Sequence, residues 1–279
     1  MTQNSAYLLD TSRDELDRLL RAAKLLSPMA ASAIRQAGLR LGGKAIDLGC
    51  GPLGALGDLH DAVGGGGTVV GVDLSPDALA TARQALDRLG IDGVRLVEAD
   101  INALRPDLVG GADFDLAHCR LVLMHQSDPA RTLAGIAGLL RPGGALIAVD
   151  FFAPPRLEPG LDVVDRAWDL IIGALRARGG SPDASRRYRE WCDAGGFDIE
   201  YERGTFIPMP PPAVLTETTV LLTGARRGVE AAGLASAAEV DRLLADLGAT
   251  RESLAAEGSG RGWSPQTIEV LARKRGGNA

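Results

Sequence analysis

Three glycines, Gly49, Gly51 and Gly54, follow a short apolar run whose one acid is Asp47, in K-A-I-D-L-G-C-G-P-L-G from Lys44 to Gly54. The apolar run reads as a buried parallel strand. Glycine at this spacing reads as a tight turn whose bare backbone lies flat against a ligand, its N–H groups turned toward it. The turn predicts a nucleotide-like ligand. Further acids fall where strands are expected to end: Asp73 after T-V-V-G-V, Asp100 in V-E-A-D-I, and Asp150 after A-L-I-A-V. Carboxylates there can accept from hydroxyl or amino groups. His125, on the loop after the fourth predicted strand, is the best candidate for acid–base work, because an unperturbed imidazole titrates near neutrality. Its alternative is a structural contact with the helix beginning at Pro129.

The elements that must position these residues alternate from Lys44 onward. Strands are expected at Thr68 to Val72, Val94 to Val97, Phe114 to Cys119 and Ala145 to Val149. Helices are expected between them, one capped by Ser75-Pro76 and closed by Gly90, another starting at Asp128-Pro129 and stopping at Arg141-Pro142-Gly143-Gly144. Strand–helix alternation at this spacing means a doubly wound α/β sheet, mostly parallel, with helices on both faces and ligands beyond the carboxyl ends of its strands. Before the first strand, two helices are expected, one from the capping-box pair Ser12 and Glu15, a second from Ser27-Pro28 to Gly38. They either pack on the sheet edge or cover the ligand. After Phe152 the pattern predicts helices at Leu161 to Arg178 and Ala184 to Ala194, and a strand at Ile199 to Ile207. A long helical region broken at Gly233 and Gly248 and a last strand at Thr267 to Lys274 follow. The organisation expected is a helical lid over 1–43, a ligand-binding core over 44–152, and the end of the sheet with helical insertions over 153–279, all within one domain.

Composition narrows the function. Of 279 residues 46% are apolar and 24% charged, and the net charge of −6 disfavours a nucleic-acid partner. No apolar run has the length of a membrane span and the start, M-T-Q-N-S, lacks a signal pattern, so the expected location is the cytoplasm. Cys50, Cys119 and Cys192 are scattered and make neither a disulfide framework nor a zinc spacing, and with three histidines no metal site is expected. The arginines Arg176, Arg178, Arg186, Arg187 and Arg189 hold an acidic substrate or form a solvated helix face.

The glycines literally satisfy G-x-G-x-x-G, which leaves a nicotinamide or flavin dinucleotide open. Asp47 argues otherwise, since a carboxylate beside the turn suits an ammonium and repels a pyrophosphate. Taken together, A-I-D-L-G-C-G-P-L-G, V-V-G-V-D-L-S, V-E-A-D-I, F-D-L-A-H-C-R and L-R-P-G-G-A-L resemble, in order and spacing, the class I S-adenosylmethionine (SAM) dependent methyltransferases over Ala45 to Asp150. The resemblance implies a Rossmann-like, seven-stranded sheet, SAM as cofactor, and methyl transfer to a small-molecule acceptor, with oxygen as the first expectation. It also implies roles. Gly49, Cys50, Gly51 and Gly54 would line the methionine moiety and ribose, and Asp47 would orient the amino group through water. Asp73 would take both ribose hydroxyls, Leu74 would pack on adenine, Asp100 would accept from its amino group and Ile101 would face the ring. A carbonyl near Cys119 would hold the ammonium, and Tyr7 would close over the cofactor. Pro52 departs from the family pattern and removes one N–H donor. A SAM-binding protein that has lost transfer, such as a cyclase or scaffold, remains the alternative, and the oligomeric state stays open, a homodimer among the options.

Overall fold

The computed structural model describes residues 13–258 and 260–276. A long helix, α1 (Arg13–Gln36), precedes β1 (Lys44–Leu48), α2 (Leu56–Val63), β2 (Thr68–Asp73), α3 (Pro76–Leu89) and β3 (Val94–Glu98). Then come a short α4 (Pro106–Val109), β4 (Phe114–Arg120), α5 (Pro129–Leu139) and β5 (Leu140–Ala153). The remainder holds β6 (Arg156–Glu158), α6 (Asp162–Ala177), α7 (Tyr188–Ala194), β7 (Phe197–Thr205), β8 (Pro208–Met209), α8 (Pro211–Ala231), α9 (Ala237–Glu257), β9 (Arg261–Trp263) and β10 (Gln266–Lys274).

Seven strands form one sheet in the order β3-β2-β1-β4-β5-β10-β7. The first five run parallel, and β10 pairs antiparallel with both β5 and β7. This is the mostly parallel α/β sheet expected. The chain reverses its direction of travel between β1 and β4, and a doubly wound sheet opens its ligand crevice at that switch point. Register puts Leu48 beside both Val72 and Cys119, so Gly49, Asp73 and Arg120 emerge at one level there. On one face Leu133, Ile136, Leu139, Tyr188 and Trp191 of α5 and α7 pack on the sheet. On the other, Ala33, Ile34, Leu56, Leu59, Leu79 and Leu86 of α1, α2 and α3 do so. A third apolar cluster joins α6, α8 and α9 over the carboxyl ends, with Trp168 donating Nε1–H to Thr218 Oγ1 at 3.1 Å and its ring stacked on Phe151 at 5.3 Å.

Four elements differ from expectation. The two helices before the sheet are one: Pro28 lies inside α1, and Ser27, expected as a cap, donates its hydroxyl to Asp58 Oδ1 at 2.7 Å, tying α1 to α2. Strand β5 starts at Leu140, taking in Arg141-Pro142-Gly143-Gly144, because Phe114 already pairs with Leu140. Only Tyr188–Ala194 of the helix expected from Ala184 is α-helical, its start being a 3-10 turn. Gly248 does not interrupt α9, whereas the break at Gly233 stands, with Ser236 and Glu239 forming a capping box that starts α9. The small sheet β6-β9-β8 gave no signal, its strands being only two or three residues long.

Candidate active site

One cavity of about 1280 Å³ opens at the switch point, between the glycine turn, the first half of α1 and the helices α6 and α8. Asp47, Gly49, Cys50, Gly51, Gly54, Asp73, Leu74, Asp100, Ile101 and His125 all line it. Tyr7 lies outside the described residues. The Cys119 side chain is buried in the core and does not line the cavity, whereas the chain directly after it does, at Arg120, Leu121 and Val122, where a carbonyl near Cys119 was expected to act.

The glycine turn departs from expectation in one respect. Four of its N–H groups are taken up inside the protein. Gly49 and Cys50 donate to the Val72 carbonyl at 2.8 and 3.0 Å, Gly51 donates to Asp73 Oδ2 at 2.8 Å, and Ala55 donates to Asp47 Oδ2 at 2.7 Å. Asp47 and Asp73 have reached into the turn and taken two of its donors, and the Val72 carbonyl takes two more, so these four amides make no nest for a pyrophosphate. What the glycines provide is room. A Cβ at Gly54 would collide with Asp47 Oδ2, whereas one at Gly51 would meet nothing nearer than Leu19 Cδ1 at 4.0 Å across the cavity. Both residues have positive φ, 53° and 54°, which glycine adopts without penalty.

Asp47, expected to orient an amino group through water, lines the cavity and is buried, with Oδ1 2.7 Å from His118 Nδ1 and Oδ2 bound by Ala55, so it also organises the turn. Asp73 is half-buried; Oδ1 accepts from Ser75 N at 2.9 Å as Oδ2 does from Gly51, and burial raises its pKa despite these bonds. A carboxylate has roughly four acceptor sites, so both oxygens keep capacity for a ligand. Asp100 is exposed and takes Asn102 N and Nδ2 on Oδ1 at 2.8 and 3.2 Å.

Sequence reasoning passed over several cavity residues. Asn102 donates Nδ2 to Gln126 Oε1 at 2.8 Å and accepts from Thr132 Oγ1 at 2.6 Å, joining the end of β3 to the loop after β4. Leu121, directly after Arg120, has φ 57°, a left-handed conformation costly for a leucine, and its N donates to the Val149 carbonyl at 2.6 Å. On the far wall Glu217 of α8 lies 3.6 Å from Arg18 and 3.9 Å from Arg21 of α1, with Arg18 also paired to Glu15 at 2.7 Å. Nothing in the sequence pattern joins positions so far apart. Of the five arginines weighed, only Arg178 lines the cavity; Arg187 and Arg189 pair with Glu190 and Glu202 on the surface, and Arg186 covers Phe152.

Burial and then the Arg178 charge lower the His125 pKa to about 4, so its imidazole is neutral at physiological pH. Asp150 lies behind this loop, fully buried. It accepts from Tyr188 OH at 2.9 Å and Met124 N at 3.3 Å, and burial pushes its pKa to about 7. The folded chain therefore binds a proton there that the unfolded chain releases near pH 4. Stability should fall as pH rises from about 4 to about 7, by roughly 2–4 kcal/mol from this group. Thermal melts of wild type and D150N across that range check this: the asparagine variant should lose that part of the decline. Parallel curves would sink the assignment.

A family model described as a methyltransferase domain matches residues 40–171. A transposon-encoded protein of Streptomyces fradiae is 42% identical over 108 residues, covering 39% of this chain and 30% of that protein. A ubiquinone biosynthesis O-methyltransferase of Thiobacillus denitrificans is 39% identical over 106 residues, covering 37% of this chain and 42% of that enzyme. The chain thus spans less than half the length of these two relatives. A demethylmenaquinone methyltransferase of Thermus thermophilus is 32% identical over 155 residues, which are 50% of this chain and 68% of that enzyme.

The chain belongs to the class I SAM-dependent methyltransferases. A crystal structure from Bacillus halodurans, itself assigned as a methyltransferase, superposes over 88% of this chain and 98% of its own with a TM-score of 0.60 at 18% identity, a likeness of fold. The cofactor of this methyltransferase family is SAM, and the site fits it on three observations. The space above Gly51 is open, the half-buried Asp73 carboxylate keeps free acceptor capacity at the cavity wall, and Leu74 and Ile101 offer apolar contact beside Asp100. Among the described residues no helix is long and apolar enough to cross a membrane.

Proposed function

We propose that this chain transfers a methyl group from SAM to an oxygen of a small, largely apolar molecule. The carrying observation is the continuity of the cavity: the same 1280 Å³ volume runs from Asp73 and the glycine turn to a chamber walled by Leu16, Leu19, Trp168, Ile171, Leu175 and Leu221. Pockets for one drug-sized ligand span about 300–1,000 Å³. This one has room for a nucleoside donor and an acceptor together, which is what direct transfer requires. Phe151 and Trp168 supply the aromatic wall, whereas Phe152, Trp191 and Phe206 do not line the cavity.

In this reading Asp73 holds the ribose, Leu74 and Ile101 flank the adenine, and Asp100 meets its amino group. The helices α1, α6 and α8 exclude water. The sulfonium of SAM is already an activated donor, so the chain's main contribution is alignment of donor and acceptor. His125 adds a proton acceptor for a hydroxyl. Its low pKa keeps it in the accepting form, so the acidic limb of kcat/KM should have its midpoint near pH 4 and the profile should be flat from about 5.5 to 7. The occupied amides of the turn argue against a dinucleotide, and the relatives named for quinone methylation make catechols and hydroquinones the first acceptors to try.

The test supplies methyl-labelled SAM with a panel of phenolic acceptors and follows label into the organic phase. The expected result is labelled methyl ether, with H125N slower by about 10²–10⁴-fold. Label that stays on the donor with every acceptor, although the donor binds, would favour a non-transferring role. Stabilisation by NAD(P) instead of SAM would overturn the reading.

A further inference from the structure

We propose that Glu217 selects the acceptor: its carboxylate accepts from a hydroxyl remote from the one methylated, so the acceptor carries at least two hydroxyls on an apolar frame. The assignment rests on the methyl-transfer reading above. A carboxylate taken out of water needs hydrogen-bond donors on its oxygens, and a nearby cation alone leaves much of the desolvation cost in place. Glu217 stands on α8 within an otherwise apolar stretch of the cavity wall, between Ala213 and Leu221, with its side chain only 23% exposed. Thr216, the polar residue beside it, donates its hydroxyl to the Pro212 carbonyl at 2.9 Å. The Trp168 indole N–H is taken by Thr218, so Trp168, Ile171 and Leu175 of α6 offer the chamber apolar contact.

The cations near Glu217 attract it without closing a hydrogen bond. Arg18 donates from Nε and Nη2 to Glu15 at 2.7 and 2.8 Å, and its Nη1 stays 3.6 Å from Glu217. Arg21 stands 3.9 Å away, its side chain mostly exposed. Both separations exceed hydrogen-bond length. Desolvation raises the Glu217 pKa even with these two charges beside it, a sign of how little solvent reaches the group. Its oxygens therefore keep acceptor sites toward the cavity. With two guanidinium groups already close, a neutral donor suits the position and a further cation would be repelled. A hydroxyl is such a donor. His125, at the reacting end, lies on a different wall, on the loop after β4 whose Met124 carbonyl accepts from Ser181 N at 2.8 Å just past the end of α6. The hydroxyl for Glu217 is thus carried across the apolar chamber.

The experiment loads the chain with S-adenosylhomocysteine and measures by calorimetry the binding of two series of catechols. One series carries straight alkyl tails of increasing length, the other the same tails ending in a hydroxyl. A hydroxyl entering an apolar chamber without a partner weakens binding. At the length that reaches Glu217, wild type should instead bind the hydroxyl-ended compound about 10-fold or more tightly than its methyl-ended twin. In E217L the order should reverse at every length, with affinity for S-adenosylhomocysteine within about threefold of wild type. E217Q, which keeps an oxygen without the charge, should cut the preference by about threefold or more. Should E217L fail to fold, E217Q decides, and an undiminished preference there overturns the proposal. So would a wild type that favours methyl-ended tails throughout, or a preference that survives E217L. A loss of S-adenosylhomocysteine affinity in E217L would place Glu217 at the cofactor and overturn it as well. A loaded chain that takes up neither series overturns the proposal and leaves the cofactor assignment standing. A chain that does not bind S-adenosylhomocysteine overturns the SAM reading and this proposal with it.

Discussion

Asp73→Ala is expected to weaken S-adenosylhomocysteine binding by about 100-fold or more, measured by calorimetry at neutral pH. Two hydroxyls donating to one carboxylate are hydrogen bonds to a charged acceptor, each worth about 1.5–3 kcal/mol, so losing both costs at least about two powers of ten. The residue also braces the site from within, since Gly51 N and Ser75 N donate to its two oxygens at 2.8 and 2.9 Å. The alanine variant should therefore melt lower even without ligand. Asp73→Asn discards the charge and keeps an acceptor for one of the two amides, so its melting point should lie between those of wild type and alanine. Burial raises the Asp73 pKa, so nucleoside affinity should begin to fall, on acidification, at a higher pH than an ordinary aspartate would give. An alanine variant binding within threefold of wild type would remove the main support for the cofactor assignment.

The largest stability effect should come from Asp47→Ala. Asp47 is 1% exposed, with His118 Nδ1 at 2.7 Å on one oxygen and the Ala55 amide at 2.7 Å on the other. Alanine leaves both buried partners unsatisfied, at about 1–3 kcal/mol each. Against a total of about 5–15 kcal/mol this is a large share, and it corresponds to a melting point on the order of 10 °C lower. Asp47→Asn restores an oxygen for Ala55 and an amide for His118, and should recover most of the loss. If alanine and asparagine melted together, within a few degrees of wild type, the buried pair would be an idle contact. Because Asp47 Oδ2 lies where a side chain at Gly54 would project, Gly54→Ala should reproduce part of the same defect.

The sheet was legible because its strands are the kind that sequence betrays. β1, β2 and the Ala145–Val149 part of β5 read as apolar runs, β1 interrupted only by Asp47, and Ser75 accepts from Ala78 N as a cap before a proline should. The acids at the strand ends were legible for the same reason, since a charge ending an apolar run has few places to go. Polarity of the turn was not legible. From residue types alone the amides near Gly51 could face outward, and only the fold reveals that Asp47 and Asp73 reach back into them. Arg120 was missed because it looks like the first surface residue after a strand, whereas the cap of α6, α8 and α9 covers that end of the sheet. The ion pairs from Arg18 and Arg21 to Glu217 join residues about two hundred positions apart, beyond the reach of any local pattern.

Pro28 has a kinetic consequence. It divides α1 into a rear part, from Ala30 to Ala37, fixed in the apolar layer with Leu56 and Leu59, and a front part, from Glu15 to Leu26, that walls the cavity. With no N–H at Pro28, the Lys24 carbonyl goes without its usual helical amide, and the rod is weakest there. Arg18 and Arg21 tie that front part to Glu217, so a product release that required parting them should quicken as salt is added, more through the exposed Arg21 than through the nearly buried Arg18.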